Sequence, residues 1–262
     1  MFKSLIMAFS TYSKIPMPRI KWDEKNMSYS MCFFPFVGGV IGGVNFGLIY
    51  FLKELLGFSA VVVAMALTVV PILITGGIHF DGFLDVADAR SSYKDREEKL
   101  RILKDPHVGA FAIIYGICYM MLAFGCNYQL VSDMGESIRI YISIGIGFAL
   151  SRILSGLSVL TLKKAKKDGM VVAYSQGADK SAKVILVLEL VVILVALALV
   201  DLKYGVAVIV AGIISFIYYV VMSYKTFGGI TGDLAGWFLQ VCELNMLIFV
   251  VVVQRITVGG LL

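Results

Sequence analysis

Long apolar stretches separated by short polar connections run through most of the chain. Seven of them can cross about 30 Å of hydrocarbon at about 1.5 Å per residue: roughly 31–52, 58–77, 108–131, 138–160, 183–201, 204–223 and 234–253. The hydrocarbon core contains no water that could hydrogen-bond to the backbone. The chain also lacks the segments of about ten residues with alternating apolar and polar positions that form membrane barrels. These stretches are therefore predicted to be helices. The predicted fold class is all-α, a polytopic integral membrane bundle of about seven transmembrane helices.

The composition agrees with a membrane protein and leaves little room for anything else. Of the 262 residues, 59% are hydrophobic and only 16% are charged. Too little polar chain remains for an independent soluble domain, so 1–262 is predicted to form a single integral membrane domain. A soluble Rossmann enzyme, a nucleic-acid reader and a disordered adaptor are excluded, and the bilayer is the expected surrounding.

Basic residues are unevenly divided between alternate connections. Segments 1–30, 78–107, 161–183 and 224–233 carry 18 Lys and Arg residues, whereas the other connections and the C-terminal end carry four. The positive-inside rule places the N-terminus and these three loops in the cytoplasm of a multi-pass cell-membrane protein, with the active site on that side. The net charge of +5 then orients the chain rather than binding nucleic acid.

The first thirty residues are too polar to span a membrane. The run from Ile15 to Pro18 contains two prolines that break any helix. Segment 1–30 is therefore predicted to lie on the cytoplasmic face, with Phe2, Leu5, Ile6 and Phe9 inserted into the interface. A loosely held tail is the alternative.

Three aspartates follow the second apolar stretch. If the segment is helical, Asp81, Asp85 and Asp88 fall within an arc of about 60°. Such crowding destabilises a helix unless a cation lies among the carboxylates, and oxygen ligands suit Mg²⁺, with Mn²⁺ as the alternative. A solvated acidic face is the other interpretation, but the intervening residues are apolar. His79 lies about 160° away from Asp81 around that helix, so it is a candidate substrate contact rather than a metal ligand.

Two further polar segments are predicted on the same side of the membrane. In the loop 78–107, Arg101, Lys104 and His107 could contact phosphates while Asp105 adds a ligand or orients one of them, although ordinary positive-inside charge is the alternative. Before the last helix, Gly228, Gly229 and Gly232 allow close approach of an anion or metal to Asp233. We therefore expect Asp233 to be a fourth metal ligand.

Three ionisable residues lie inside the predicted spans, where a charge is costly unless paired or functional. Arg152, Glu189 and Glu243 have similar predicted depths and could meet. Either Arg152 pairs with one of the glutamates, or the group forms the floor of a polar cavity that binds substrate.

Carboxylates at a membrane boundary, beside basic and Gly-rich segments, suit transfer of a diphosphate-bearing substrate to a hydroxyl acceptor. Three runs in this chain resemble the cobalamin synthase family of adenosylcobinamide-GDP ribazoletransferases: 76–88, 101–111, and 228–233 with Glu243 ten residues later. The likeness extends through most of the chain, and the first run is highly specific.

The resemblance implies an Mg²⁺-dependent enzyme of the cytoplasmic membrane that joins adenosylcobinamide-GDP to α-ribazole or its 5′-phosphate and releases GMP. It also implies that Asp81, Asp85 and Asp88 form the metal-dependent core, supported by Asp105, Asp233 and Glu243. The loop 163–169 departs from the family by being rich in Lys where Arg is commoner before its Gly. Lys167 is the candidate contact there, but a lysine lacks the bidentate fork of arginine.

Two other functions remain open from the sequence. A CDP-alcohol phosphatidyltransferase also uses carboxylates at a membrane edge, but its aspartate spacing is absent here. A secondary transporter would predict internal repeats and polar groups near the midplane, whereas these acidic groups cluster at one edge. The form of the acceptor, the number of metal ions and homo-oligomerisation are left undecided by the sequence.

Overall fold

The structure is a computed structural model that describes residues 1–21, 27, 29–133, 138–176 and 180–259. Within these ranges the protein is helical and has no strand, apart from an isolated parallel bridge between Lys164 and Ile230. The predicted all-α fold class is confirmed.

Eleven α-helices lie in the described ranges: α1 (Phe2–Tyr12), α2 (Phe34–Ile49), α3 (Ala60–Ile74), α4 (Ile78–Ser91), α5 (Arg96–Ile102), α6 (Ala110–Ser132), α7 (Arg139–Thr161), α8 (Met170–Gln176), α9 (Lys180–Val200), α10 (Leu202–Met222) and α11 (Gly232–Val258). A 3₁₀ turn at Met31–Phe33 precedes α2. Wider π turns at Tyr50–Leu55 and Ser223–Phe227 extend α2 and α10.

Six helical segments of the described chain are long and apolar enough to cross a membrane: Met31–Leu55, Ala110–Ser132, Arg139–Thr161, Lys180–Val200, Leu202–Phe227 and Gly232–Val258. They correspond to six of the seven predicted spans. The remaining one, 58–77, contains α3, whose 15 residues are fewer than the about 20 needed for a straight crossing. Counting α3 with its bent neighbour α4 gives the predicted seven.

A sharp bend separates α3 from the acidic helix α4, and the sequence analysis did not anticipate it. The two helix axes differ by 92°. Gly76 and Gly77 connect them with φ values of +65° and +79°, a left-handed conformation that glycine adopts without steric cost. The bend carries α4 out of line with α3 and outside the six long spans, where α4 packs against α6 and α11.

Helix α7 forms the centre of the bundle and contacts α2, α9, α10 and α11. The predicted helical hairpins are also present, because α2 packs against α3 and α9 packs against α10. The close packing fixes the ends of α7 and α11, and the loops at one of these ends build the site described below.

The N-terminal helix α1 packs against the bundle. Ile6 and Phe9 are buried, whereas Phe2 is exposed, and α1 packs on α2. The prediction that Ile6 and Phe9 insert into the interface is therefore wrong, because the bundle itself offers them an apolar surface. The last residue of α1, Tyr12, reaches the site.

Candidate active site

A cavity of about 330 Å³ lies where α1, α4, α7, α8 and α11 meet at one end of the bundle. Small-molecule sites typically enclose about 300–1,000 Å³, so this cavity suits a compact ligand. Its lining divides into two chemically different walls. The charged wall comprises Asp81, Lys104, Lys164, Lys166, Asp168 and Asp233, and the aromatic wall comprises Tyr12, Phe34, His79 and Tyr174.

The acidic helix α4 crosses the first turns of α11 at backbone contact. A Cβ atom on Gly82 would stand 2.7 Å from the carbonyl oxygen of Asp233, and one on Gly236 would stand 3.1 Å from that of His79. The first distance is too short for a real side-chain carbon, and the second would require the neighbouring backbone to shift. The two glycines thus allow α4 to approach α11 closely enough to bring Asp81 and Asp85 beside Asp233.

Asp85 lies at the centre of this group of carboxylates. Partial burial, followed by the charges of Asp81, Asp233 and Asp88, raises the pKa of Asp85 to about 7. Mutual repulsion of this kind is relieved when a cation binds among the carboxylates. The electrostatics of the group therefore favour a positively charged ligand.

The donor chemistry of the group is that of a hard cation, since carboxylate oxygens are the ligands Mg²⁺ prefers. In the part of the chain that the structure describes, however, no three Asp, Glu, His or Cys side chains converge at metal-binding geometry. The side chains match the ion by type and charge without forming a finished coordination shell. Metal binding by Asp81, Asp85, Asp88 and Asp233 stays a prediction.

Asp88 accepts backbone hydrogen bonds that distinguish it from Asp81 and Asp85 on the same helix. Its Oδ2 accepts a hydrogen bond from the backbone N–H of Gly109 at 2.6 Å, and its Oδ1 accepts one from Ala112 at 2.9 Å. A carboxylate that accepts such bonds at a helix start stabilises otherwise unpaired donors. Asp88 therefore joins α4 to the N-terminus of α6, and it does not line the cavity.

Two loops that sequence analysis treated separately are joined into one basic rim. Ala165 donates its backbone N–H to the carbonyl of Ile230 at 2.9 Å, and Ile230 donates to that of Lys163 at 2.9 Å. This pairing directs Lys164 and Lys166 to the cavity. Burial lowers the pKa of both lysines, although the nearby charge of Asp233 partly offsets this for Lys166.

The predicted phosphate contacts of the loop 78–107 are only partly brought to the cavity. Lys104 lines it, but Arg101 is exposed and forms an ion pair with Glu98 at 2.6 Å. Asp105 and His107 pair with each other at 2.7 Å on the surface. Lys167 is likewise exposed outside the lining, in which Lys164 and Lys166 are present instead.

Of the ionisable residues inside the spans, two form a buried ion pair. The Arg152 guanidinium donates to Glu243 Oε1, and Ser151 Oγ donates to the same oxygen at 3.1 Å. The pair lines a separate small cavity of about 60 Å³. Within the described residues, no ion pair or hydrogen bond joins Glu189 on α9 to Arg152. The paired interpretation is confirmed with Glu243, while a role of either residue in substrate binding stays a prediction.

His79 belongs to an aromatic cluster rather than to the carboxylate group. Its ring stacks on Tyr12 at a centroid distance of 5.9 Å and lies 5.8 Å from Phe34. Burial, with a contribution from the charge of Arg152, lowers the pKa of His79 to about 3. The imidazole is therefore neutral at physiological pH.

Sequence analysis missed the two tyrosines of this wall and did not single out Lys164 or Lys166. Tyr12 and Tyr174 lie far apart in the chain, and their rings come within 6.3 Å only through the packing of α1 against the bundle. Because two lysines stand on each side of Ala165, nothing in the sequence of this loop separates inward from outward lysines.

Comparison with known proteins gives one consistent result. A family model described as cobalamin-5-phosphate synthase matches residues 4–251. Proteins named adenosylcobinamide-GDP ribazoletransferase are similar to this chain in Lachnoclostridium phytofermentans (44% identity, covering 98% of this chain and 96% of that protein) and in Clostridium botulinum (34%, covering 93% and 95%). One from Clostridium perfringens is 32% identical, covering 92% of this chain and 94% of that protein. No solved structure matches the chain.

Proposed function

The chain belongs to the cobalamin-5-phosphate synthase family and is a membrane-embedded transferase of cobalamin biosynthesis, and we propose that it joins adenosylcobinamide-GDP to α-ribazole or α-ribazole 5′-phosphate. An acceptor ribose hydroxyl attacks the phosphorus attached to the cobinamide. The bond from that phosphorus to the GMP oxygen breaks, GMP leaves, and the hydroxyl proton passes to a base. No covalent enzyme intermediate is required.

One observation carries this proposal: carboxylates and lysines line the same cavity. Asp81 and Asp233 line it beside Lys104, Lys164 and Lys166. Lysines attract phosphate oxygens as point charges, whereas carboxylates repel them unless a cation intervenes. A diphosphate donor with a hydroxyl acceptor uses both kinds of group.

We assign the residues to roles as follows. Lys104, Lys164 and Lys166 bind the phosphates of the donor. Mg²⁺, held by Asp81, Asp85 and Asp233, would neutralise diphosphate charge and lower the pKa of the acceptor hydroxyl. Asp88 positions α6 against α4, and a carboxylate oxygen of this group that the cation does not engage accepts the proton.

The membrane in question is the cell membrane, with the N-terminus and the cavity on the cytoplasmic side. The distribution of basic residues supports this orientation. Cysteines introduced at Lys94 and Lys203 test it with a membrane-impermeant maleimide. In intact spheroplasts Lys203→Cys should react and Lys94→Cys should react only after lysis, each compared with the unsubstituted protein; the reverse pattern would invert the orientation.

The function is tested with detergent-purified protein, adenosylcobinamide-GDP, α-ribazole and Mg²⁺. We expect GMP and the coupled corrinoid to form in equal amounts, to stop forming in EDTA, and to resume when Mg²⁺ is restored. GMP or CMP released only from another activated alcohol would reject the substrate pair. Flux of a corrinoid into proteoliposomes without turnover would instead favour a transporter.

A further inference from the structure

We propose that the 330 Å³ cavity is the site of the acceptor nucleoside, and that its aromatic wall selects the base by stacking. In this arrangement the base lies against Tyr12, which the buried rings of Phe34, His79 and Tyr174 hold in place, and the ribose points toward Asp81. The inference rests on the proposed function and adds to it which substrate occupies the cavity and what recognises it.

The aromatic wall is a connected set of rings. Tyr12 is its centre, with centroid distances of 4.3 Å to Phe34, 5.9 Å to His79 and 6.3 Å to Tyr174. Its ring is nearly parallel to that of His79, at 23°. A flat aromatic ligand gains contact area and favourable ring geometry from such a wall, whereas a phosphate gains neither.

The charged wall suits the other half of a nucleoside. Asp81 and Asp233 line the cavity and can accept hydrogen bonds from ribose hydroxyls. A ligand that is aromatic at one end and polar at the other therefore matches both walls at once. The acceptor nucleoside has this shape, and the donor, with its bulky corrin ring, is too large for the cavity.

The position of the acidic residues agrees with this division. Asp81 and Asp233 line the cavity, while Asp85, one helical turn after Asp81, does not. The carboxylate group thus stands at the edge of the cavity. A nucleoside seated inside would present its hydroxyl at this edge to a donor phosphate arriving from outside.

The test separates the Michaelis constants of the two substrates. We expect Tyr12→Leu to raise KM for α-ribazole by about tenfold or more, since the central stacking ring is lost, with KM for adenosylcobinamide-GDP unchanged. Tyr12→Phe keeps the ring and should restore KM for α-ribazole to within about threefold of the wild type. Phe124→Leu is the matched control, because Phe124 stacks with Tyr128 on α6 and does not line the cavity.

A second measurement uses the wild-type protein and so does not depend on whether a variant folds. The α-ribosides of dimethylbenzimidazole, benzimidazole and imidazole are compared as acceptors, and we expect KM to rise at each loss of ring area. Equal KM values for the three, or a Tyr12→Leu effect confined to the donor, would overturn the proposal. Absence of turnover with wild-type protein and α-ribazole would instead reject the proposed function.

Discussion

Gly82 on α4 lies against Asp233 on α11 so closely that a Cβ atom would stand 2.7 Å from the Asp233 carbonyl oxygen. The neighbouring atom is backbone, so it cannot rotate away as a flexible side chain would. The acidic helix α4 is bent away from α3 by 92°, and this contact holds it beside the start of α11. The candidate site therefore depends on the absence of a side chain as much as on the presence of carboxylates.

Replacing Gly82 by Ala should separate α4 from α11 and lower turnover. We expect kcat to fall by about tenfold or more, because small displacements of catalytic groups are costly. The control is Gly125→Ala, at a helical glycine with nothing within 4 Å of its Cβ position. Alanine there should leave turnover unchanged, and equal activity of the two variants would show that the contact is not needed.

Asp85→Asn should abolish turnover and leave the folded protein intact. Because burial and neighbouring carboxylates raise the pKa of Asp85 to about 7, removing its charge relieves repulsion instead of breaking a favourable pair. We expect the thermal unfolding midpoint in detergent to stay equal or rise while GMP release is lost. Glu97→Gln, at an exposed residue of α5, is the control, and near-normal activity of Asp85→Asn would refute the metal assignment.

Asp88→Asn should behave differently, although the substitution is chemically the same. Both oxygens of Asp88 accept backbone N–H bonds at the start of α6, and an amide offers one acceptor and turns a donor toward the other N–H. The loss of a cap typically costs about 1 kcal/mol. We expect a lower unfolding midpoint than for Asp85→Asn, and an unchanged midpoint would exclude the capping role.

The sequence was sufficient for the helical class and for six of the long spans, because apolar length alone defines a membrane helix. It also placed Asp81 and Asp233 near each other, since both begin helices at the same end of the bundle. The bend at Gly76 and Gly77 was not predicted. Two adjacent glycines permit many backbone conformations, and only the packing of α4 on α6 and α11 selects this one.

Two details of the site, the contacts of Asp88 and the orientation of Lys166, could not be predicted from the sequence, for related reasons. Asp88 shares the helical face of Asp85, and periodicity cannot tell which carboxylate meets the backbone of a distant loop. The inward orientation of Lys166 rather than Lys167 depends on the pairing of residue 165 with residue 230. Both features are set by tertiary contacts that leave no mark in local spacing.

Lys166→Met should weaken binding of the diphosphate donor. Lys166 lines the cavity beside Asp233, and methionine keeps most of the side-chain length while it removes the charge. We expect KM for adenosylcobinamide-GDP to rise about tenfold, equivalent to about 1.4 kcal/mol, with a smaller effect on α-ribazole. Lys94→Met, at an exposed lysine on the same basic side, is the control, and equal KM values for the two variants would contradict the assignment.

The buried pair of Arg152 and Glu243 allows its structural role to be separated from substrate binding. Both side chains are almost fully buried, at 1% and 10% exposure, and removing one partner leaves an uncompensated charge that typically costs about 3–5 kcal/mol. Arg152→Met alone should therefore reduce the yield of monodisperse protein in size-exclusion chromatography. The pair lies outside the lining of the larger cavity, so the double variant Arg152→Met with Glu243→Gln should recover both the yield and turnover to within about tenfold of the wild type. A double variant that is well folded but inactive would show that the pair acts on the substrate, as the family resemblance implies for Glu243.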